Sequence, residues 1–385
     1  MVAAPLPPRQ PPYGRPLPPG MPEAAPSPAA PGAAKVALLV PLTGGTAEVG
    51  QAILGAAQLA LFEMPGDRLI LVPRDTGGNV SGAVKAARAV IDEGAKLILG
   101  PLLAAEVEAV KPLARDAHLN LIAFSTVTEL AGGNTFLMGF LPRQEVVREI
   151  GHARERGFAR FAALAPNSPY GHLMADALKD IAATSGATVT RVEFYDPRAG
   201  DTTPAVQRLL PGAAPSPASE SPAAGAPSFD ALLLPEGGAR LKQVARQVRE
   251  AAAGAKPLQL LGSGLWDVPD IGSEPALVGG WFAASPPEAR RAFAQRYQAV
   301  YGHAPPRLAS LGYDAAALSA VLARGEGEAF SQQAILNPNG FTGIDGLFRF
   351  TPSGLVQRGL AVLEVEPQGD VVVSPAPQNF QDLAY

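Results

Sequence analysis

Short apolar runs and amphipathic helical stretches alternate along most of this chain, and this alternation constrains the fold more than any other feature. Residues 35–41 form a mostly apolar run that ends in turn residues, which predicts a buried strand. Further along, Val80, Val84, Ala87 and Ile91 recur at helical spacing and predict one face of a helix. Strands that are apolar on both faces are typical of parallel sheets covered by helices, so the alternation predicts an α/β fold.

Length and composition predict two folded domains behind a tether. The chain has 385 residues, of which 47% are apolar and 17% charged, enough to bury the cores of two ordinary domains. The first 31 residues instead hold about a dozen prolines, so residues 1–34 are interpreted as an extended tether, or else as a cloning remnant or a tail without a role. Residues 211–228 are rich in Pro, Ala, Ser and Gly and predict a low-complexity surface loop.

The residues offer little that is typical of an enzyme. There is no cysteine, no glycine-rich phosphate loop and no serine-hydrolase or zinc-protease motif. The four histidines, far apart in sequence, lack metal-ligand spacing; they are His118, His152, His172 and His303. We therefore expect neither catalysis nor a metal or other cofactor. The net charge of −4 gives no general attraction to nucleic acid.

Polar and aromatic residues that follow predicted strands are the candidates for a ligand-binding cleft. In open parallel sheets, ligands bind beyond the carboxyl ends of the strands. Carboxylates at these ends can bind a cationic ligand group or cap a helix, and aromatic rings can cover a small ligand or pack in a core. The predicted cleft residues are Thr43, Gly44, Ser125, Thr126, Tyr170, Glu236 and Trp266.

The order of several short motifs resembles the type 1 periplasmic binding proteins, of which the Leu/Ile/Val-binding group is the familiar example. The matching stretches are residues 36–44 (VALLVPLTG), 95–101 (AKLILGP), 120–126 (NLIAFST), 343–350 (GIDGLFRF) and the pairs Tyr170-Gly171 and Tyr313-Asp314. The resemblance implies two Rossmann-like lobes with parallel sheets, joined by a three-segment hinge. The expected bounds are 35–141 with 285–337 for lobe 1, 142–284 with 338–375 for lobe 2, and 376–385 for a C-terminal tail.

Within this superfamily, residues 72–77 (VPRDTG), 231–238 (ALLLPEGG) and 337–340 (NPNG) are most similar to lipoprotein activators of penicillin-binding proteins. That resemblance implies contact with a peptidoglycan synthase and a periplasmic location, with outer-membrane anchoring through a lipidated segment upstream of this chain. The chain departs from the amino-acid-binding members in two places. Residues 102–105 (LLAA) lack the hydroxyl that those members carry. The acid that those members carry in the second lobe corresponds to a position near Gly264 in this chain, and Glu236 or Asp267 is the candidate substitute for it.

These departures lead to a first choice of function and to alternatives. The first is a non-enzymatic activator of peptidoglycan synthesis. The alternative is the solute-binding subunit of an ABC importer for an amino acid or amide, whose partner is an ABC permease. A ligand sensor that feeds a signalling partner is a third. Because a zwitterion buried without hydroxyl partners leaves charges unpaired, we expect no tight binding of leucine, isoleucine or valine.

Overall fold

The computed structural model describes residues 32–64, 68–210, 228–253, 257–325 and 328–381. Most of the predicted tether, nearly all of the predicted 211–228 loop and the last four residues of the predicted tail lie outside these described residues. The described chain divides into two compact units. Unit 1 comprises the described residues of Met1–Gly139 and Glu288–Val356, and unit 2 comprises those of Phe140–Pro287 and Gln357–Tyr385.

Strands and helices alternate in the described chain as the apolar pattern predicts. The strands are β1 (Ala34–Val40), β2 (Leu69–Asp75), β3 (Leu97–Leu99), β4 (Asn120–Ala123), β5 (Thr135–Leu137), β6 (Arg160–Pro166), β7 (Thr188–Tyr195), β8 (Ala231–Leu233), β9 (Gln259–Leu261), β10 (Trp281–Ala284), β11 (Phe341–Gly343), β12 (Gly346–Phe350), β13 (Val356–Arg358), β14 (Ala361–Glu364) and β15 (Val371–Ser374). The helices are α1 (Ala47–Glu63), α2 (Val80–Asp92), α3 (Ala104–Asp116), α4 (Pro142–Glu155), α5 (Pro169–Ser185), α6 (Thr203–Leu209), α7 (Gly238–Ala251), α8 (Pro287–Tyr301), α9 (Ala309–Arg324) and α10 (Gln332–Ile335).

The central sheet of unit 1 is parallel, in the order β2-β1-β3-β4-β5. On one face, Val90 of α2 and Val107 of α3 pack against Leu39 and Ile98 in a fully buried cluster. Helices α1 and α9 pack so closely that a Cβ atom added at Gly312 would lie 2.1 Å from the Ile53 carbonyl oxygen. Small residues are therefore a requirement of this helix pair.

The sheet of unit 2 has the order β15-β14-β10-β9-β8-β6-β7, and its five strands β6 to β10 are parallel. They repeat the order of unit 1, and the antiparallel strands β14 and β15 extend one edge. Apolar clusters cover both faces. One includes Val244 of α7 against Leu260, and the other includes Ile150 of α4 against Leu261.

The predicted third crossing of the chain, after residue 337, is corrected by the structure. Strands β11 and β12 belong to unit 1, and the boundary falls inside β13. The Ile344 N–H donates to Asp314 Oδ1 at 2.6 Å, and Ser310 Oγ donates to Asp345 Oδ2 at 2.6 Å. These hydrogen bonds are buried and hold the β11–β12 turn on α9, which explains why the segment stays with the first unit.

Candidate functional site

The loop after β1 is held by the carboxylate of Asp75, which ends β2. Asp75 Oδ1 accepts hydrogen bonds from the N–H groups of Leu42 and Gly77, both at 2.7 Å, and Oδ2 accepts one from the Thr43 hydroxyl at 2.6 Å. Burial raises the pKa of Asp75, but these hydrogen bonds outweigh burial and hold the pKa below its usual range. Gly44 has a φ of +85°, and a Cβ atom there would lie 2.8 Å from the Gly77 carbonyl oxygen. Thr43 and Gly44 thus shape this loop, and the Thr43 hydroxyl proton is already donated to Asp75.

The predicted hydroxyl pair after β4 splits into a buried and an exposed member. Ser125 is 4% exposed, and its Oγ accepts a hydrogen bond from the Val127 N–H at 3.2 Å. Thr126 is exposed. Strand β3 lies between β1 and β4 in the sheet, so β1 and β4 are about 10 Å apart. Thr43 follows β1, and Ser125 and Thr126 follow β4.

Sequence reasoning missed a buried acid in unit 1, Glu106 on α3. Its side chain is 1% exposed, and its Oε2 accepts a hydrogen bond from the Leu103 N–H at 3.4 Å. Burial raises its pKa; the Thr76 hydroxyl and the Leu103 N–H oppose that rise, and the charge of Asp75 adds to it. The available signal was its place as the third residue of the helix, where glutamate commonly caps.

In unit 2, Tyr170 and Glu236 follow β6 and β8, which are neighbours in the sheet. The Ser168 hydroxyl caps α5 by accepting from the Gly171 N–H at 3.2 Å, which positions Tyr170 in the first turn. Burial raises the pKa of the Tyr170 phenol, the charges of Glu145, Glu149 and Glu236 raise it further, and a hydrogen bond with the Ser263 hydroxyl lowers it. Tyr170 remains partly accessible to solvent.

Glu236 is partly exposed and accepts two hydrogen bonds within unit 2. The Tyr195 hydroxyl donates to Oε2 at 2.5 Å, and the Gly237 N–H donates to Oε1 at 3.0 Å. Burial raises the pKa of Tyr195, and its hydrogen bond to Glu236 raises it further. The strand order changes direction between β6 and β8, and ligands of open α/β sheets bind at such a switch point. The structure thus places Tyr170 and Glu236 after the two strands that flank this switch point.

Trp266 was wrongly predicted to line a cleft, because its side chain is fully buried in the core of unit 2. Its indole N–H donates to the Leu234 carbonyl oxygen at 3.2 Å. Cβ atoms at Gly262 and Gly280 would lie 2.3 and 2.6 Å from the ring, so these two glycines make room for the indole. The residue stabilises the unit and cannot cover a ligand.

Two acids on α4 were missed altogether. Glu145 Oε2 accepts from the Gly264 N–H at 2.9 Å, and its Oε1 lies 2.5 Å from the place that a Cβ at position 264 would take. Glu149, one turn later, is 1% exposed; its Oε1 accepts from the Ala283 N–H at 2.9 Å. Its Oε2 has no hydrogen-bond partner among the residues that the structure describes.

Burial raises the pKa of Glu149 well above its usual range, the Ala283 N–H opposes that rise, and the Glu145 charge adds to it. Sequence reasoning missed both acids because α4 is rich in charged residues and looks like a solvated helix. Only its packing shows that the turn bearing Glu149 faces the core.

Two negative findings bear on the kind of site. Within the described part of the chain, no three His, Cys, Asp or Glu side chains are grouped in a way that suits a metal ion. None of the described helices is both long and apolar enough to cross a bilayer.

Two α/β units that repeat one strand order, with polar groups at the carboxyl ends of their strands, define the type 1 periplasmic-binding-protein fold. The chain belongs to the periplasmic binding protein family, whose model matches residues 33–370. A curated relative, the uncharacterized protein RP748 of Rickettsia prowazekii, is 22% identical over 162 residues, which are 42% of this chain and 43% of the relative. The match thus spans less than half the length of that relative.

Solved structures of ABC transporter components share the fold. A proposed branched-chain amino acid ABC transporter from Rhodospirillum rubrum has a TM-score of 0.76 at 20% identity, covering 89% of this chain and all of that one. The leucine-binding protein LivK of Thermotoga maritima has a TM-score of 0.60 at 20% identity, covering 91% and 100%. A solute-binding protein from R. palustris in complex with benzoate has a TM-score of 0.60 at 18% identity, covering 90% and 98%. At these identities the similarity shows the fold alone.

Proposed function

We propose that this chain is the non-catalytic, periplasmic solute-binding subunit of an ABC importer, with an ABC permease as its partner. The observation that carries the proposal is that Tyr170 and Glu236 follow β6 and β8, the two strands that flank the strand switch point of unit 2. The family match and the solute-binding proteins of the same fold support it.

The proposed ligand-contacting residues are a subset of those expected from the sequence. In unit 1, Ser125 and Thr126 offer hydroxyls after β4. In unit 2, Tyr170 and Glu236 offer a phenol and a carboxylate. Thr43 and Gly44 are assigned to shaping the loop instead, because the Thr43 hydroxyl donates to Asp75.

The activator function rests on sequence likeness alone. A surface that works only by protein contact has no need of buried carboxylates, because each costs free energy of folding unless it is neutralised. The buried and half-buried acids of unit 2 therefore favour a small solute over a protein partner as the occupant of this site.

The test is to identify what the protein carries. The chain is purified from periplasm without added ligands, denatured, and the released small molecules are identified by mass spectrometry. We expect one solute in near-stoichiometric amount. Returned to the solute-free protein at about a hundred times its dissociation constant, that solute should stabilise it by about 2.7 kcal/mol. A protein that releases no solute, but binds a peptidoglycan synthase and raises its activity, would overturn the proposal in favour of the activator.

A further inference from the structure

His152 on α4 is a buried histidine that the proposed function does not use. Its side chain is 2% exposed, and neither ring nitrogen has a hydrogen-bond partner among the described residues. The nearest carboxylate oxygen, Glu155 Oε2, lies 3.8 Å from Nδ1, which is beyond hydrogen-bonding distance. A neutral imidazole carries one N–H, whereas an imidazolium carries two and needs an acceptor for each. The site therefore suits the neutral form of the ring.

The strand beneath the imidazole offers it an aromatic ring. The His152 ring packs edge-on against Trp281 of β10, with ring centroids 4.8 Å apart. The indole N–H of Trp281 donates to Glu364 Oε2 of β14 at 2.8 Å, so this carboxylate is already engaged. An indole nitrogen is a donor only, so Trp281 cannot accept a proton from an imidazolium.

The charged groups of α4 itself add to the effect of burial. Burial lowers the pKa of His152 most, the charges of Arg156 and Arg148 lower it further, and Glu155 opposes them. Arg156 also lies over the Trp281 ring, 5.8 Å from its centroid. Glu149, one turn earlier on α4, is buried as well, and burial raises its pKa, which favours the neutral acid.

The neighbouring helix α5 brings no unpaired acid to His152. Both acids of α5 form ion pairs at 3.0 Å, Asp176 with Lys179 and Asp180 with Arg143. His152 thus has positive charges on its own helix, and engaged carboxylates on the strand and helix beside it.

Helix α4 also holds the loop after β9. Glu145, about 10 Å before His152 along the helix, accepts from the Gly264 N–H at 2.9 Å. The adjacent Ser263 hydroxyl forms a hydrogen bond with the phenol of Tyr170, a proposed ligand-contacting residue. A displacement of α4 at His152 is therefore transmitted to residues 263–264 and to Tyr170.

We propose that His152 is a pH sensor that displaces α4 from β10 in mild acid and so loosens the loop that supports Tyr170. This inference rests on the proposed function and adds control of the site by pH. A proton on the packed imidazole finds no acceptor, whereas displacement of α4 exposes the ring to water. The displaced arrangement binds a proton more readily, so it gains population as pH falls below about 6.5. Solute should be held at neutral pH and released more readily in acid.

The first test is hydrogen exchange of the full chain, followed by mass spectrometry on peptides that cover α4 and residues 262–268. Protection factors, which are corrected for the intrinsic exchange rate, report how often these segments open. From pH 6.5 to 5.5 they should fall about two- to fivefold in the wild type, as expected for one proton with a pKa near 6.5 in the open form. His152→Phe should abolish this fall. The control His118→Asn removes an exposed histidine with a φ of +56° and should behave like the wild type.

Two exposed neighbours give opposite predictions that a purely structural role would not. Glu155→Gln removes the charge that favours the imidazolium, so the fall in protection should deepen. Arg156→Gln removes a charge that opposes the imidazolium, so the fall should become smaller. NMR titration of the four histidines should show His152 titrating below about pH 6.5 in the wild type. If His152→Phe does not fold, the two surface variants decide.

The last measurement is the affinity for the co-purified solute at pH 7.5 and 5.5. The wild type should lose more affinity at pH 5.5 than His152→Phe does. An equal loss in both would overturn the control of the site, and so would an equal fall in protection. Surface variants that both respond like the wild type would also overturn the inference. A protein without a solute that shows the expected exchange pattern would sink the importer function and leave the pH sensor standing.

Discussion

Replacing Glu149 with Gln should stabilise the solute-free protein at neutral and alkaline pH, although it removes a natural side chain. The amide oxygen of Gln can still accept from the Ala283 N–H, which now donates at 2.9 Å. The amide nitrogen takes the place of Oε2, which has no hydrogen-bond partner among the described residues. The substitution therefore removes a buried charge and keeps the hydrogen bond.

The size and pH window of this effect follow from linkage. The pKa of Glu149 is raised above 4.5 in the folded protein, so its contribution to stability is complete below about pH 4.5 and is lost as pH rises through the folded value. The Gln amide nitrogen is left as unpaired as Oε2, so the gain is the excess cost of an unpaired charge over an unpaired neutral group, which we take as about 1–3 kcal/mol. At roughly 2–4 °C per kcal/mol, the variant should melt roughly 2–12 °C higher at pH 8. The difference should shrink towards zero near pH 4.5.

The assay is differential scanning calorimetry from pH 4.5 to 8 on the wild type, Glu149→Gln and the exposed control Glu250→Gln. The control should follow the wild type at every pH because Glu250 is exposed. A Glu149→Gln protein that melts lower than the wild type at pH 8 would show that the ionised carboxylate is stabilised in the folded unit. The account of an uncompensated buried charge would then be wrong.

Three further predictions concern packing and a second buried titratable group. In urea unfolding, Gly312→Ala should destabilise the protein by at least about 1–3 kcal/mol, because the added Cβ would lie 2.1 Å from the Ile53 carbonyl oxygen. The control Gly151→Ala should be neutral or stabilising, because a Cβ atom at position 151 would have no atom within 4 Å. Burial lowers the pKa of His152, so the stability of the protein should fall as pH drops below about 6.5. His152→Phe should flatten this fall in thermal melts from pH 7.5 to 5. An unchanged pH dependence in the variant would show that other groups cause the fall. Trp266→Ala should lower the free energy of unfolding by about 3–5 kcal/mol in urea, because the side chain is fully buried. A variant of unchanged stability with impaired solute binding would show instead that Trp266 contacts the solute.

Periodicity alone predicted most of the fold. The run at residues 35–41 corresponds to β1 (Ala34–Val40), and the helical spacing from Val80 to Ile91 corresponds to α2 (Val80–Asp92). These elements are recognisable in the sequence because the residues that are buried recur with the residue period of the helix or the strand. Three of the motifs that identified the superfamily, residues 36–44, 95–101 and 120–126, are each a strand together with its following turn.

The position of a candidate site residue was predictable only where that residue follows a strand. Tyr170 and Glu236 qualify, because the carboxyl ends of neighbouring parallel strands meet at one edge of the sheet. Trp266 also follows a strand, but Gly262 and Gly280 leave space for its ring in the core, and that space depends on how β9 and β10 pack. A local rule could not separate these two outcomes.

Sequence by itself therefore determined the α/β pattern and the superfamily, and it placed Tyr170 and Glu236 after strands of unit 2 that are neighbours in the sheet. Tertiary structure alone decided that β11 and β12 stay with unit 1, and that Glu149 of a charged helix points into the core. The physical reason is that period and propensity act over a few residues. Burial and charge compensation depend on contacts such as Glu149 with the Ala283 N–H, whose partners are 134 residues apart along the chain.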